Sequence, residues 1–346
     1  MMANWELLKR LCAARGVSGR EDEVRELILK EIGPYAEKTE VTPLGNVIAF
    51  KSGEKRAGTK LMLAAHMDEV GLAVTRVTDE GLLKFSCVGG IDPNVLPGRQ
   101  VLVGKRAVPG VAGVKPIHML KKDEMEKRVP AEELYLDIGA LTKEEAEAAV
   151  SPGDEATFVS RFCAQNGVLS AKALDDRAGC ALLIGLMKKR LKYDAVFAFT
   201  VQEEVGSAGA RTAAFAVEPD AAVVVEATTA ADVPGTDRNR QVCRLGDGPA
   251  VSFMDRRTVY DAEYYELALR TAEREGIRCQ PKQAVTGAND ASVIHISRAG
   301  VRTVAVSLPC RYLHAPAGVV SQEDFRAAGE LLALLAEKIA GKAQRC

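Results

Sequence analysis

No stretch of the 346-residue chain is apolar for long enough to cross a bilayer, and its opening residues, MMANWELLKRLCAARGVSGR, interrupt every apolar run with charge. Neither a membrane anchor nor a secretory leader is expected. An excess of one charge is missing too: 46 Lys and Arg face 47 Asp and Glu, for a formal net charge of −1. That balance argues against nucleic acid or an anionic membrane as the partner. Aromatic residues make up 5% of the chain, with one Trp, which is little for stacking on single strands. The eight cysteines contain no C-x-x-C pair, so a local thiolate zinc site is not indicated. They point to reduced, mostly buried thiols of a cytoplasmic protein. No internal repeat or low-complexity tract is present.

What is present is the composition of a globular protein, 47% hydrophobic and 27% charged, at a length that suggests two domains. Apolar residues at helical spacing predict helices over Trp5–Arg15 and Glu21–Ile32, stopped by Gly16 and Gly33. Strands follow at Asn46–Phe50 and Lys60–His66, the second apolar enough to be buried on both faces. From Gly71 to Cys163 the texture becomes short β-like pieces (Val101–Val103, Gly110–Val114, Ala156–Phe162), with one helix behind a Thr142/Glu145 capping box. Helices and strands then alternate: helix Asp176–Lys192, strands Ala195–Thr200 and Ala222–Val225, helices Ala262–Glu275 and Ala291–Ile296, strand Thr303–Ser307 and helix Glu323–Ile339. The longest loop is placed at Thr228–Gly248. The fold class is therefore α/β, a mixed central sheet with helices on both faces. A discontinuous catalytic domain, 1–70 and 164–346, is interrupted by a β-rich insertion, 71–163.

Metal-ligating residue types gather at strand ends and strand-to-helix turns, where open α/β sheets put their sites. His66 and Asp68, two apart in an extended segment, face one way, and Asp68 is placed to orient the ring. Asp175 and Asp176 precede an apolar helix. One of them caps it and the other is free for chemistry. Glu203 and Glu204 follow a buried strand and can share a cleft only if the strand ends there and the chain turns, which Gly206 and Gly209 permit. Glu226 closes a further apolar strand, and His314 lies just beyond Thr303–Ser307. His295, in an apolar helix, and His118, in the insertion, are left out of the site.

The segments Ala65-His-Met-Asp-Glu-Val-Gly71, Lys172-Ala-Leu-Asp-Asp-Arg-Ala-Gly179, Val201-Gln-Glu-Glu-Val-Gly206 and Arg311-Tyr-Leu-His314, in this order, strongly resemble the tetrahedral co-catalytic metallo-aminopeptidases. That family includes glutamyl and deblocking aminopeptidases, some labelled CelM endoglucanases or FrvX-like. Pro43-Leu-Gly-Asn46 and Gly287-Ala-Asn-Asp-Ala291 resemble its flanking motifs. The resemblance implies a zinc-peptidase, phosphorylase/hydrolase-like core, a β-barrel-like insertion used in assembly, and a homo-oligomer, often a dodecamer. It further implies two divalent ions per subunit (zinc, cobalt or manganese), with Asp175 bridging them. His66 and Glu226 complete one ion's ligands, and Glu204 and His314 the other's. Glu203 becomes the general base and Asp68 the orienter of His66. Two positions depart from the family: Glu226 is commonly Asp, and Ala-Pro-Ala-Gly-Val follows His314 where Ser-Pro and then Glu are common.

Such a set suits hydrolysis of the N-terminal residue of peptides. Two ions about 3.5–4 Å apart acidify a shared water and polarise the carbonyl, and three carboxylates with one hydroxide balance their charge. Rival chemistries are hydrolysis of N-acyl groups or C-terminal residues, glycoside cleavage, or peptide binding without turnover. A glycosidase needs two carboxyls flanking the scissile bond and no histidines, and a pure binder has no use for Glu203.

Overall fold

The computed structural model describes residues 5–342 apart from 121 and 123–127. Its main sheet begins with strands β1 (Lys38–Val41), β2 (Val47–Lys51) and β3 (Leu61–His66). The chain then leaves for a separate sheet: β4 (Gly71–Val77), β5 (Leu83–Val88), β6 (Gln100–Val103), β7 (Val108–Gly113), β8 (Tyr135–Asp137) and β9 (Glu155–Phe158). These six close into a barrel in the order β4-β5-β8-β7-β6-β9, around a core of its own that includes Leu72, Leu83, Leu136 and Phe158. The chain returns as β10 (Cys163–Gln165), β11 (Val168–Ala171), β12 (Ala195–Thr200), β13 (Ala221–Thr229), β14 (Ala250–Val251), β15 (Gln280–Pro281), β16 (Arg302–Arg311) and β17 (Gly318–Ser321).

The main sheet runs β1-β2-β12-β3-β13-β16-β17-β11-β10, with β14 and β15 attached beside β16. Four central strands, β12, β3, β13 and β16, are parallel, and the rest pair antiparallel around them, apart from β14 and β15, which are parallel to each other. Every residue of β3 and β12 is buried, as strands covered on both faces require. One face carries the large core with Leu8, Leu11, Ile28 and Leu332, and the other a smaller alanine-rich core with Ala210, Ala213 and Ile294. The fold class is thus the mixed α/β sheet expected, accompanied by a closed barrel.

The helices follow from their patterns. Helices α1 (Trp5–Ala13) and α2 (Asp22–Ile32) present one apolar stripe each. A short helix in the barrel sheet's connections, α3 (Lys143–Ala149), starts at Thr142, whose hydroxyl accepts from the Glu145 amide, while Glu145 reaches back to the Leu141 amide. Helix α4 (Leu174–Met187) is apolar on all sides and nearly every residue is buried, because it lies between the sheet and the outer helices. Beyond it come α5 (Ala208–Val217), α6 (Ala262–Glu275), α7 (Ala291–Ile294) and α8 (Gln322–Ala340), the last capped by the Ser321 hydroxyl.

Two strands run further than the apolar pattern suggested. β13 continues to Thr229 and β16 to Arg311, paired through Thr229 and Cys310, because the polar ends of both lie on the ladder. Glu226 is therefore inside its strand and not at its end. It still reaches the crest, since β3 pairs with β13 only as far as Val224. Among the described residues all cysteines are free, and Cys346 lies outside those residues.

A buried charge cluster fastens α4 to the sheet. The fully buried Arg177 guanidinium donates to the carbonyls of Met67 (2.7 Å), Ala14 (3.0 Å) and Leu11, and to Glu69 (3.2 Å). Lys172 Nζ also grips Glu69, at 2.7 and 2.8 Å. Arg177→Met leaves the buried Met67 and Leu11 carbonyls short of a donor, Ala14 keeping Lys172 at 3.1 Å, and it should lower unfolding stability by on the order of 3 kcal/mol in urea titrations. A loss below about 1 kcal/mol would show that the cluster is dispensable.

Candidate metal centre

The carboxyl ends of the four parallel strands open into one cleft of about 440 Å³. His66, Asp175, Glu203, Glu204, Glu226 and His314 all line it. Ligand atoms of His66, Asp175 and Glu204 lie within 4.8 Å of one another, a spacing that could hold a metal ion. Asp175 stands between two imidazoles: Oδ1 is 3.3 Å from His66 Nε2, and Oδ2 is 3.4 Å from His314 Nε2. Glu204 Oε2 is 3.2 Å from the same His314 nitrogen. Glu226 enters from β13 and accepts from Asn289 Nδ2 at 2.9 Å.

Each ring is held from behind. His66 Nδ1 faces the Asp68 main-chain carbonyl at 3.1 Å, and His314 Nδ1 faces the Gly90 carbonyl at 3.0 Å. With Nδ1–H donating to a carbonyl, Nε2 keeps its lone pair for the cleft. The Asp68 carboxylate, 3.4 Å from His66 Nδ1, has a second task. Its oxygens accept from the amides of Glu203 (2.9 Å) and Glu204 (3.1 Å) and from the Ser18 hydroxyl (2.7 Å). It therefore fixes the turn that presents both glutamates.

That turn is the one the two glycines permit. β12 ends at Thr200, Gln202 takes a left-handed conformation (φ +57°), and Gly206 reverses the chain at φ +118°. At Gly209 a Cβ would run into the Val201 carbonyl and the Asn46 side chain. Of the two aspartates, Asp176 does the capping, accepting from the Gly179 amide at 2.9 Å, and Asp175 is the one in the cleft. The Asp175–Asp176 peptide bond is cis. His295 bonds the Ala291 carbonyl of its own helix, and His118 is exposed on the barrel, so neither joins the site.

Sequence reasoning missed the supporting shell. Asn46, fully buried, accepts from the Val201 amide and donates to the Gly209 carbonyl. Glu21 accepts from the Gln202 amide. The signal for Asn46 and Asn289 lay in the two flanking motifs. Nothing in the local pattern marked Glu21 or Ser18.

The electrostatics show a site short of positive charge. Burial, followed by neighbouring acids, pushes Glu204 and Glu226 up to about 8 and Glu203 well above the usual carboxylate range. Burial opposes the charged form of His314, yet Asp175 and Glu204 bring it up to about 9. Burial likewise opposes ionisation of Asp175, which the two histidines hold below its ordinary value. Glu204 Oε1 is buried with no hydrogen-bond partner. An orphaned carboxylate oxygen beside two imidazole nitrogens and a shared aspartate is a donor set that fits divalent cations.

Residues 45–331 match the model of a family described as M42 glutamyl aminopeptidase. The chain belongs to that family. It is 36% identical to a TET aminopeptidase from a marine sediment archaeon of the Thaumarchaeota, with a TM-score of 0.92 over 97% of this chain and 96% of that one. Against the TET1 peptidase of Pyrococcus horikoshii, which can assemble into a tetrahedron or a large octahedral shell, the identity is 35% and the TM-score 0.85, over 96% and 98%. Lysyl aminopeptidase of Pyrococcus furiosus is 31% identical over 334 residues, 93% of this chain and 94% of that protein. The protein is an M42 aminopeptidase, a peptide hydrolase.

Asp68→Asn puts an amide NH₂ opposite backbone N–H groups that now donate to a carboxylate. In this aminopeptidase it should lower kcat on aminoacyl p-nitroanilides by about 10- to 100-fold, the usual effect of losing a residue that orients metal-site groups. Unchanged kcat in the purified variant would show that the 203–204 turn holds without it.

Proposed function

We propose that this M42 aminopeptidase removes the N-terminal residue of peptides at a centre of two divalent cations. Asp175 would help hold both, with His66 and Glu226 on one side and His314 and Glu204 on the other. The observation that carries this reading is Asp175 itself, which presents one oxygen to each of two imidazole nitrogens. Zinc, cobalt and manganese all suit these mixed nitrogen and oxygen donors. When bound, the cation pair supplies a water acidic enough to ionise near neutral pH and polarises the scissile carbonyl.

The chain's own groups do the rest. Glu203, on the cleft wall and outside the ligand set, accepts the proton of the attacking water on its carboxylate and passes it to the leaving amine nitrogen. Desolvation of this carboxyl favours its protonated form, which suits a group that must hold a proton between two steps. The acidic crest also attracts the ammonium of a free peptide N-terminus, which restricts cleavage to the first residue. The longer Glu226 side chain, where relatives commonly carry Asp, is steadied by Asn289. Ala315, which follows His314, lines the cleft, and the ring is supported from the Gly90 carbonyl.

Peptides with a free N-terminus are the partners this reading gives the protein, not nucleic acid or membrane. No helix among the described residues is long and apolar enough to cross a membrane. The free, largely buried cysteines suit a reducing, cytoplasmic setting. From the TET relatives, one of which is a dodecamer, we extend to this chain a homo-oligomer of the dodecameric kind. The division proposed is a catalytic domain of 1–70 and 164–346 and an assembly domain of 71–163.

Chelation should abolish release of p-nitroaniline from aminoacyl substrates, and added zinc, cobalt or manganese should restore it. Glu203→Gln should cost about 10²- to 10⁴-fold in kcat while metal content, read by mass spectrometry, stays near two ions per chain. Loss of metal in that variant would make Glu203 a ligand and remove it as the base. Efficient cleavage of N-acetylated peptides would defeat the restriction to free N-termini.

A further inference from the structure

The described lining of the cleft contains a single Lys or Arg, Lys282. The side chain is 4% exposed, and its backbone amide is tied to the Val251 carbonyl at 2.9 Å, so the residue is carried on a fixed extended segment. Its ammonium donates to one protein group, the Thr286 carbonyl, at 3.0 Å. Among the described residues no carboxylate lies within ion-pair distance of it. Glu226 is near enough to feel its charge, but in the reading above that carboxylate is committed to a cation. A buried ammonium with two unspent donors and no counter-ion is costly, and the open side available to it is the substrate cleft.

We infer that Lys282 is the specificity residue for the first substrate position, and that it selects peptides whose N-terminal residue carries a side-chain carboxylate. This rests on the dinuclear aminopeptidase reading and adds the substrate class to it. Family membership does not make the choice, since the family description says glutamyl and the P. furiosus relative is a lysyl enzyme. The charges lining the cleft away from the metal donors do. Apart from Glu203, assigned above to proton transfer, the one acid among them is Asp92, which sits on the barrel side, is exposed, and spends Oδ1 on the Asn94 amide and side chain. Water and salt screen an exposed charge of that kind, whereas Lys282 acts across a low-dielectric wall. Thr228 and Thr229, on the same cleft, offer further polar groups to a carboxylate. A leucyl or lysyl side chain would leave the Lys282 ammonium unmatched or opposed.

The test is the ratio of kcat/KM for glutamyl over leucyl p-nitroanilide, measured in the metal-loaded enzyme, in Lys282→Met and in Lys282→Arg. The anilide leaving group carries no carboxylate, so the ratio reads only the first residue's side chain. The wild type should favour glutamyl and aspartyl substrates. Lys282→Met should lower the ratio by about 10- to 100-fold, the worth of a charge-assisted hydrogen bond, and Lys282→Arg should retain most of it. If Lys282 only straps its loop through Thr286, or only steadies Glu226, Lys282→Met will depress both substrates together and leave the ratio unchanged. That result overturns the inference, as does a wild type that prefers leucyl or lysyl substrates. Failure to cleave any aminoacyl anilide with any metal would instead overturn the aminopeptidase chemistry on which it rests.

Discussion

An ionised carboxylate taken out of water costs several kcal/mol unless a donor or cation meets it, and this chain brings seven to the ends of β12, β3 and β13. They divide by how that cost is met. Asp68 receives two backbone amides and a hydroxyl, and these, with His66, hold it ionised against its burial. Asp176 takes the Gly179 amide, and burial pushes it toward the neutral form. Asp290, pushed up to about 6 chiefly by burial, takes the Thr200 hydroxyl. The remaining four, Asp175, Glu203, Glu204 and Glu226, have two histidines, one asparagine and little else. Of the first three, Asp68 is the one met on both oxygens, whereas Asp176 and Asp290 each keep one oxygen unpartnered and Glu204 keeps Oε1 so. The metal centre proposed above is the counterpart that would meet this charge.

Holding such groups in place draws on chain segments far from the crest. Ser18 and Glu21, from the N-terminal helices' connection, reach Asp68 and the Gln202 amide, and Asn46, before β2, ties the start of the glutamate turn to the start of α5. Arg177 gathers the ends of α1 and β3 around Glu69. The bonds of Glu21, of Asn46, and of Arg177 to Leu11 and Met67 satisfy backbone groups that the strand-to-turn transitions would otherwise leave open, while Ser18 and Glu69 meet charged side chains. The same bonds that complete the backbone therefore also aim the side chains of the site.

Much of this was legible before the structure. β3 and β12 announced themselves as apolar runs ending in His66 and the Glu203–Glu204 pair, and the cleft follows because parallel strands deliver their carboxyl ends together. The glycines after Glu204 correctly signalled a turn. The pattern misread how far β13 and β16 extend, because their last residues are held by each other and not by apolar burial. It also left open which of Asp175 and Asp176 capped the helix, a question of backbone conformation that composition cannot answer. The bonds of Ser18, Glu21 and Gly90 were invisible for a different reason. They join residues 50 to 224 positions apart; the Glu21 and Gly90 bonds each have a backbone partner, which no residue type advertises, and the Ser18 hydroxyl meets the Asp68 carboxylate across a distance no local pattern records.

The Gly90 contact bears on why a barrel interrupts this catalytic layer at all. It is inserted five residues after His66 and rejoins just before the strand that leads to Asp175, so its loop 89–95 folds back over the cleft. Gly89 needs its positive φ of +81° there, and a Cβ would press on Val70 at 2.8 Å and on Glu204 at 3.3 Å. Gly90 then offers its carbonyl to His314. One loop of the barrel thus reaches both groups proposed for the second cation, while the first pair, His66 and Glu226, sits on β3 and β13 with support from the Asp68 carbonyl and Asn289. If the barrel also carries the subunit contacts proposed here, assembly acts directly on one half of the metal centre, and the less exposed half keeps its geometry from the sheet.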